Sequence, residues 1–155
     1  MIIITSELLE RSFNLSEIVY QGKLAGAFYG FNRDKVFKTT RGTYWIQARY
    51  KYWYHYKYRP EVTIRKDNGR HYLSVEGKEI EVRKLNNVIE SNVDGDFKGW
   101  EGKSVYSLRN GQVWQQDEYH YEYKYEYAPE VMIYEISSGT YMSVADTVAK
   151  VRRIR

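Results

Sequence analysis

The chain has no cysteine among its 155 residues, which excludes disulfide staples and thiolate chemistry. It has three histidines, His55, His71 and His120, and no two share a strand at metal-ligand spacing, so no metal site is expected. There is no phosphate-cradling loop, no G-x-G-x-x-G opening a helix, no nucleophile elbow and no Cys/His pair. No catalytic residue and no cofactor is therefore assigned, and the expectation is a protein that is not an enzyme. No apolar run approaches the ~20 residues that a bilayer crossing needs. The start, MIIITSELLERSF, lacks the basic region of a signal peptide. Both absences point to a cytoplasmic protein without a membrane partner. Helical periodicity is almost missing too. One short helix is expected in the N-terminal segment 1–16, capped by Thr5 or Ser6 ahead of ELLERS.

What is abundant is tyrosine: 17 Tyr, with 4 Trp and 5 Phe, in a chain with only two prolines. Aromatic side chains favour strands. The two prolines, Pro60 and Pro129, lie 69 residues apart, and that offset recurs throughout. Residues 26–86 align without a gap on residues 95–155, with 21 identities in 61 positions. The matches include Gly26/Gly95, Gly30/Gly99, Trp45/Trp114, Gln47/Gln116 and Pro60-Glu61-Val62/Pro129-Glu130-Val131. Five tyrosines at every second residue match as well, Tyr50/Tyr119 through Tyr58/Tyr127. Such a repeat makes each copy one structural unit. The division reads as an N-terminal segment 1–16, a first β-repeat 17–86 and a second 87–155.

Period-two alternation predicts strands at about 17–24, 34–40, 43–58, 61–67, 70–76 and 79–85, and at equivalent places in the second copy, including 112–127. Arg41-Gly42, Asn110-Gly111, Asp67-Asn68-Gly69 and Ser137-Ser138-Gly139 are hairpin turns. Pro60 and Pro129 end the long tyrosine strand, and Gly26, Gly30, Gly95, Gly99 and Gly102 mark a bend after the first. The segment VADTVAK (144–150) has helix-forming composition, but its counterpart VEGKEIE reads as a turn between strands, and the register is preferred. The expected fold is all-β: two tandem small SH3-like barrels of five to six short antiparallel strands each. One continuous sheet or sandwich across both copies is the rival.

The second copy carries VIESNVDGDFKGWEGKSVYSLRNGQVWQQ, then YHYEYKYEY, then PEVMIY. It resembles a group of short bacterial proteins of unknown function with a DG-x-F-x-GW run, an NGQ-x-W-Q run, a tyrosine–histidine alternation and a P-x-V-x-IY strand. The first copy departs from this pattern, with AGAFYGFN and RGTYWIQ at the same places. The resemblance implies a compact β-domain of bacterial or phage origin and no activity.

In an extended strand the five tyrosines of each copy share one face. A buried tyrosine removes roughly 150–250 Å² from water. The preferred expectation therefore puts Tyr52, Tyr54, Tyr56, Tyr121, Tyr123 and Tyr125 in the repeat core with Trp45 and Trp114. The other reading is an exposed tyrosine ladder for recognition. Gln47 and Gln116, beside the two tryptophans, are expected to hydrogen-bond loop backbone. Glu61 and Glu130, after the prolines, read as strand-end anchors.

Charge separates the copies. Residues 17–86 carry +8 and residues 87–155 carry −3. Arg49, Lys51, Trp53, His55, Lys57 and Arg59, with Arg65 and Lys66 nearby, form a basic aromatic strip. Cations with interleaved rings suit single-stranded nucleic acid; the plain alternative is a solvated strand face. Lys150, Arg152, Arg153 and Arg155 form a second cluster, read as a solubilising tail. The functional expectation is a binding or assembly module that contacts a protein partner or itself. Nucleic-acid binding by the basic first repeat is the alternative.

Overall fold

The computed structural model describes residues 16–155; the helix expected after Thr5 or Ser6 lies outside them. Among the described residues every regular element is a strand. The chain forms two compact units that divide between Lys84 and Leu85.

The first unit holds β1 (Glu17–Lys23), β2 (Ala27–Phe31), β3 (Val36–Lys38), β4 (Tyr44–Gln47), β5 (Trp53–Tyr58), β6 (Glu61–Asp67), β7 (Arg70–Val75) and β8 (Lys78–Leu85). Six of these strands form a sheet in the order β1-β6-β7-β8-β4-β3, and β2 pairs with β5. The second unit holds β9 (Ile89–Asn92), β10 (Asp96–Phe97), β11 (Trp100–Glu101), β12 (Val105–Ser107), β13 (Val113–Gln116), β14 (Tyr121–Glu122), β15 (Glu126–Tyr127), β16 (Glu130–Ile136), β17 (Gly139–Val144) and β18 (Thr147–Arg153). Its six-stranded sheet runs β12-β13-β18-β17-β16-β9, while β10 pairs with β15 and β11 with β14. With the offset of 69 applied, the two sheets have the same strand order.

In both units the outermost strands approach each other at one end. Leu24 bridges Thr39, and Val93 bridges Leu108, so each sheet curls. The concave side holds the core. In the first unit it contains Phe28, Phe31, Phe37, Trp45, Val62, Ile64, Leu73, Val75, Ile80 and Val82. In the second it contains Phe97, Trp100, Trp114, Val131, Ile133, Met142, Val144, Ala149 and Val151. Alternate residues of β6, β7, β8, β16, β17 and β18 supply much of this core, as period-two patterning requires.

Tight turns join the long hairpins. Asn68 and Gly69 both have positive φ (54° and 80°), as do Glu76 and Gly77 (49° and 79°). This is the pair of left-handed residues that matches strand twist. The equivalent of Glu76-Gly77 is Ala145-Asp146, again left-handed at both positions. VADTVAK therefore turns and continues as a strand despite its helix-forming composition.

The long tyrosine strand expected at 43–58 is in fact two. Strand β4 stops at Gln47 and β5 starts at Trp53. The expected 112–127 strand breaks further, into β13, β14 and β15. The cause is the buried glutamine at each break. The Gln47 amide donates to the carbonyls of Asn32, Arg49 (2.8 Å) and Lys51 (3.3 Å), and its oxygen accepts from the Asn32 N–H (3.1 Å). Gln116 donates to the carbonyls of Glu118 (3.1 Å) and His120 (2.7 Å) and accepts from the N–H of Gly102 (2.8 Å). A side chain replaces the ladder, so the backbone leaves the main sheet without orphaned polar groups.

Candidate binding surface

Two glycines position the tyrosine segments. A Cβ on Gly30 would lie 1.8 Å from the Trp53 carbonyl oxygen, and one on Gly99 would lie 2.0 Å from that of Glu122. Both have positive φ, 96° and 91°. The crossing segment rests directly on glycine backbone, a contact that no side chain permits. This close approach fixes which way the tyrosine segment faces.

In the first unit the inward residue is Trp53. Its ring lies 5.3 Å from Phe31 and 6.1 Å from Phe28, and it stacks on His55 at 4.9 Å with the planes 4° apart. The alternate positions then point outward. Tyr50, Tyr52, Tyr54, Tyr56 and Tyr58 are all exposed, Tyr54 to 66%. Tyr29 on β2 joins them, with its ring 5.4 Å from Tyr56. In the second unit Tyr119, Tyr121, Tyr123, Tyr125 and Tyr127 are exposed, Tyr119 to 90%.

This corrects the expected core. Trp45 and Trp114 are buried, but Tyr52, Tyr54, Tyr56, Tyr121, Tyr123 and Tyr125 are not. The physical reason lies in the partner strand. Phe28 and Phe31 of β2, and Phe97 and Trp100 at the equivalent places, fill the space beneath the segment. A second layer of phenols has no room on that side. In the first unit one indole completes the filling from β5. In the second the indole comes from Trp100, at the position equivalent to Phe31, and Glu122 occupies the position of Trp53. Trp100 is fully buried, and its Nε1–H donates to the Thr147 hydroxyl at 2.8 Å.

The basic strip of the first unit is largely neutralised by carboxylates on β8 and its preceding turn. Arg49 Nε donates to Glu81 at 2.8 Å. Lys57 Nζ lies 2.6 Å from Glu76, and His55 Nε2 lies 3.0 Å from the same carboxylate. Arg65 reaches Glu79 at 2.9 Å and Asp67 at 3.3 Å, and its guanidinium sits 4.5 Å from the Tyr72 ring centroid. Lys51 Nζ donates to the Glu79 carbonyl at 2.9 Å. The carboxyls of Glu76, Glu79 and Glu81 are held below the ordinary range, first by hydrogen bonds from Lys57, Arg65 and Arg49 respectively. Arg59 is exposed with a left-handed backbone (φ 47°), its N–H bonded to the Gly26 carbonyl ahead of Pro60. Lys66 is exposed on β6, in register with His71.

Thus Arg49, Lys51, His55, Lys57 and Arg65 gather around one acidic row, Glu76-Glu79-Glu81, which the sequence reading does not single out. The signal was present as the alternating charges of EGKEIEVRK. Among the remaining candidates, Glu61 and Glu130 are exposed at strand starts, in register with Lys23 and Asn92. Arg152 donates to the Gln115 side chain at 2.6 Å. Among the described residues no three His, Cys, Asp or Glu side chains are grouped to hold a metal ion, and no helix is long and apolar enough to cross a membrane. No protein-family model, curated protein or solved structure matches this chain.

Proposed function

We propose that this protein is a non-enzymatic binding module that docks a protein partner on its two tyrosine rows. Each unit, in this reading, is a small SH3-like barrel whose crossing segment serves as the recognition element. The observation that carries the reading is the exposure of eleven tyrosines, ten of them at alternate positions of the two segments. Tyrosine joins a large apolar ring to a polar tip with little side-chain entropy to lose, which is why it is enriched at binding hot spots. A folded protein that leaves so much aromatic area wet forgoes roughly 25 cal/mol per Å² of burial, and a partner that covers it recovers the part left over after the cost of association.

Single-stranded nucleic acid on the basic strip is the second reading. It is supported by the Arg33 guanidinium 5.4 Å from the Tyr50 ring centroid, a cation beside a stacking platform. It is opposed by the engagement of Arg49, His55, Lys57 and Arg65 with glutamates.

A photo-crosslinking side chain placed at Tyr54 or Tyr123 distinguishes them. The proposal expects protein adducts from both positions and none from exposed Lys78. Nuclease-sensitive adducts from Tyr54 alone would overturn it in favour of nucleic acid.

A further inference from the structure

Three apolar rows of the first unit end in basic side chains. In β6, β7 and β8 the core-facing residues follow at every second position: Val62-Ile64, Val75-Leu73 and Ile80-Val82. The next positions on the same face are Lys66, His71 and Lys84. All three line a cavity of about 260 Å³, together with Tyr20 of β1, Trp45 of β4 and Arg41 from the β3–β4 turn. Its wall is aromatic. The Trp45 and His71 ring centroids are 4.9 Å apart, and the Arg41 guanidinium lies 5.1 Å from the Tyr20 ring centroid. The basic strip of this unit has its carboxylate partners in Glu76, Glu79 and Glu81. Arg41, Lys66 and Lys84, by contrast, enter no ion pair among the described residues. One carboxylate, Glu17, also lines the cavity, in register with Lys66. Three cations thus stand against one acid. Burial first, then Lys66 and Lys84, pushes the His71 imidazole below its ordinary value, so both ammonium groups act on the same ring. The second unit does not repeat this arrangement. Its rows end in Glu135, Thr140 and Arg153, and Asn110 stands in the place of Arg41.

We propose that this cavity binds a small phosphate monoester, its phosphate held among Arg41, Lys66 and Lys84 and its organic body against the aromatic wall. A phosphate monoester carries close to two negative charges at neutral pH. That matches the excess of two positive charges at the cavity, whereas a carboxylate or a sulfate ester brings only one. Guanidinium and ammonium groups donate charge-assisted hydrogen bonds to phosphate oxygens, and an uncharged His71 adds one N–H. The volume falls just below the roughly 300–1,000 Å³ of drug-sized ligand sites, so the ligand is small. None of the tyrosines of the two rows lines the cavity, so this site is separate from the docking surfaces.

The test is calorimetric titration of the full chain with phenyl phosphate, AMP, inorganic phosphate and phenyl sulfate. The first two carry the monoester on an aryl ring and on a nucleoside, so the tighter of them identifies the body that the cavity prefers. At least one is expected to bind 1:1, with inorganic phosphate competing more weakly. Lys66→Ala/Lys84→Ala is expected to weaken binding roughly tenfold or more, because two charge-assisted contacts are lost. Both side chains are exposed, and an unchanged melting temperature checks that the variant folds. Lys78→Ala, exposed and outside the cavity, should leave binding as it was. The charged groups that line the cavity with His71 are Glu17, Arg41, Lys66 and Lys84. A dianion placed among them offsets the two ammonium groups, so saturating ligand is expected to raise the pH at which His71 titrates by NMR. No binding of phenyl phosphate, AMP or inorganic phosphate overturns the proposal. So does binding that survives the Lys66/Lys84 double variant, or that leaves the His71 titration unmoved. Phenyl sulfate binding as tightly as phenyl phosphate overturns the assignment to phosphate.

Discussion

Four residues, two per unit, carry much of the architecture. At Gly30 and Gly99 the neighbouring carbonyl oxygen already occupies the place of a Cβ, and the backbone is left-handed. Gly42 is left-handed too, but a Cβ there meets nothing within 4 Å. Gly30→Ala should therefore cost more than about 3 kcal/mol, whereas Gly42→Ala should cost about 1 kcal/mol, the backbone strain alone. Urea unfolding of the two variants measures the contrast. Equal losses would mean that the crossing segment does not rest on Gly30. Gln47 and Gln116 act differently. Each satisfies several backbone groups from a buried position, so Gln47→Leu should cost about 2–4 kcal/mol by leaving carbonyls and an N–H unpaired. The glycine repeat was legible in the sequence as a bend, but the close approach was not, since it depends on which strand crosses. The glutamine role was legible because a polar residue beside a tryptophan, present in both copies, has few uses other than bonding backbone.

At the scale of elements, the sequence marks strands and hairpin turns well and the direction of a face poorly. Both sides of YKYWYHYKY alternate with the same period, so period two alone cannot say which side is core. The larger count of rings points to the tyrosine side. Phe28, Phe31 and Trp53 decide against it by filling the interior first. Two substitutions on β5 expose this asymmetry. Trp53→Ala should destabilise the first unit by about 2–3 kcal/mol, while the adjacent Tyr54→Ser should stay within about 0.5 kcal/mol of wild type. Chemical denaturation followed by Trp45 fluorescence reads both, and a larger loss at Tyr54 would reverse the assigned faces.

Acid should also act unequally on the two units. Glu76, Glu79 and Glu81 have carboxyls below the ordinary range in the fold. Their contribution is present above the unfolded carboxylate value, about 4.3, and is lost as pH falls through the folded values. The second unit has Ala145, Val148 and Lys150 at these positions. It also replaces the Arg65–Tyr72 contact by Tyr134 stacked on Tyr141 at 6.1 Å. Between about pH 5 and pH 3 the first unit should lose amide-exchange protection before the second. The opposite order would mean that these glutamates do not stabilise the first unit.

The described residues form one strand order written twice with diverged surfaces. The 69-residue offset made the repeat visible without structure, because Gly, Trp, Gln and Pro hold positions that backbone geometry and packing leave little freedom to change. Where charged positions pair inside a unit they diverged together: Arg49 and Glu81, ion-paired in the first unit, are Glu118 and Lys150 in the second. The tyrosines break this pattern. Ten exposed rings remain identical between copies, although the folds beneath them do not need their bulk. A shared demand on the outer face, such as docking, is the proposed reason.

Everything said of the function depends on those rings being wet in solution, and tyrosine nitration of the dilute protein, mapped by peptide mass, measures that directly. The account predicts rapid nitration at Tyr50 through Tyr58 and at Tyr119 through Tyr127, with Tyr20 and Tyr134 protected by burial. Protection of the two rows comparable to that of Tyr134 would contradict it.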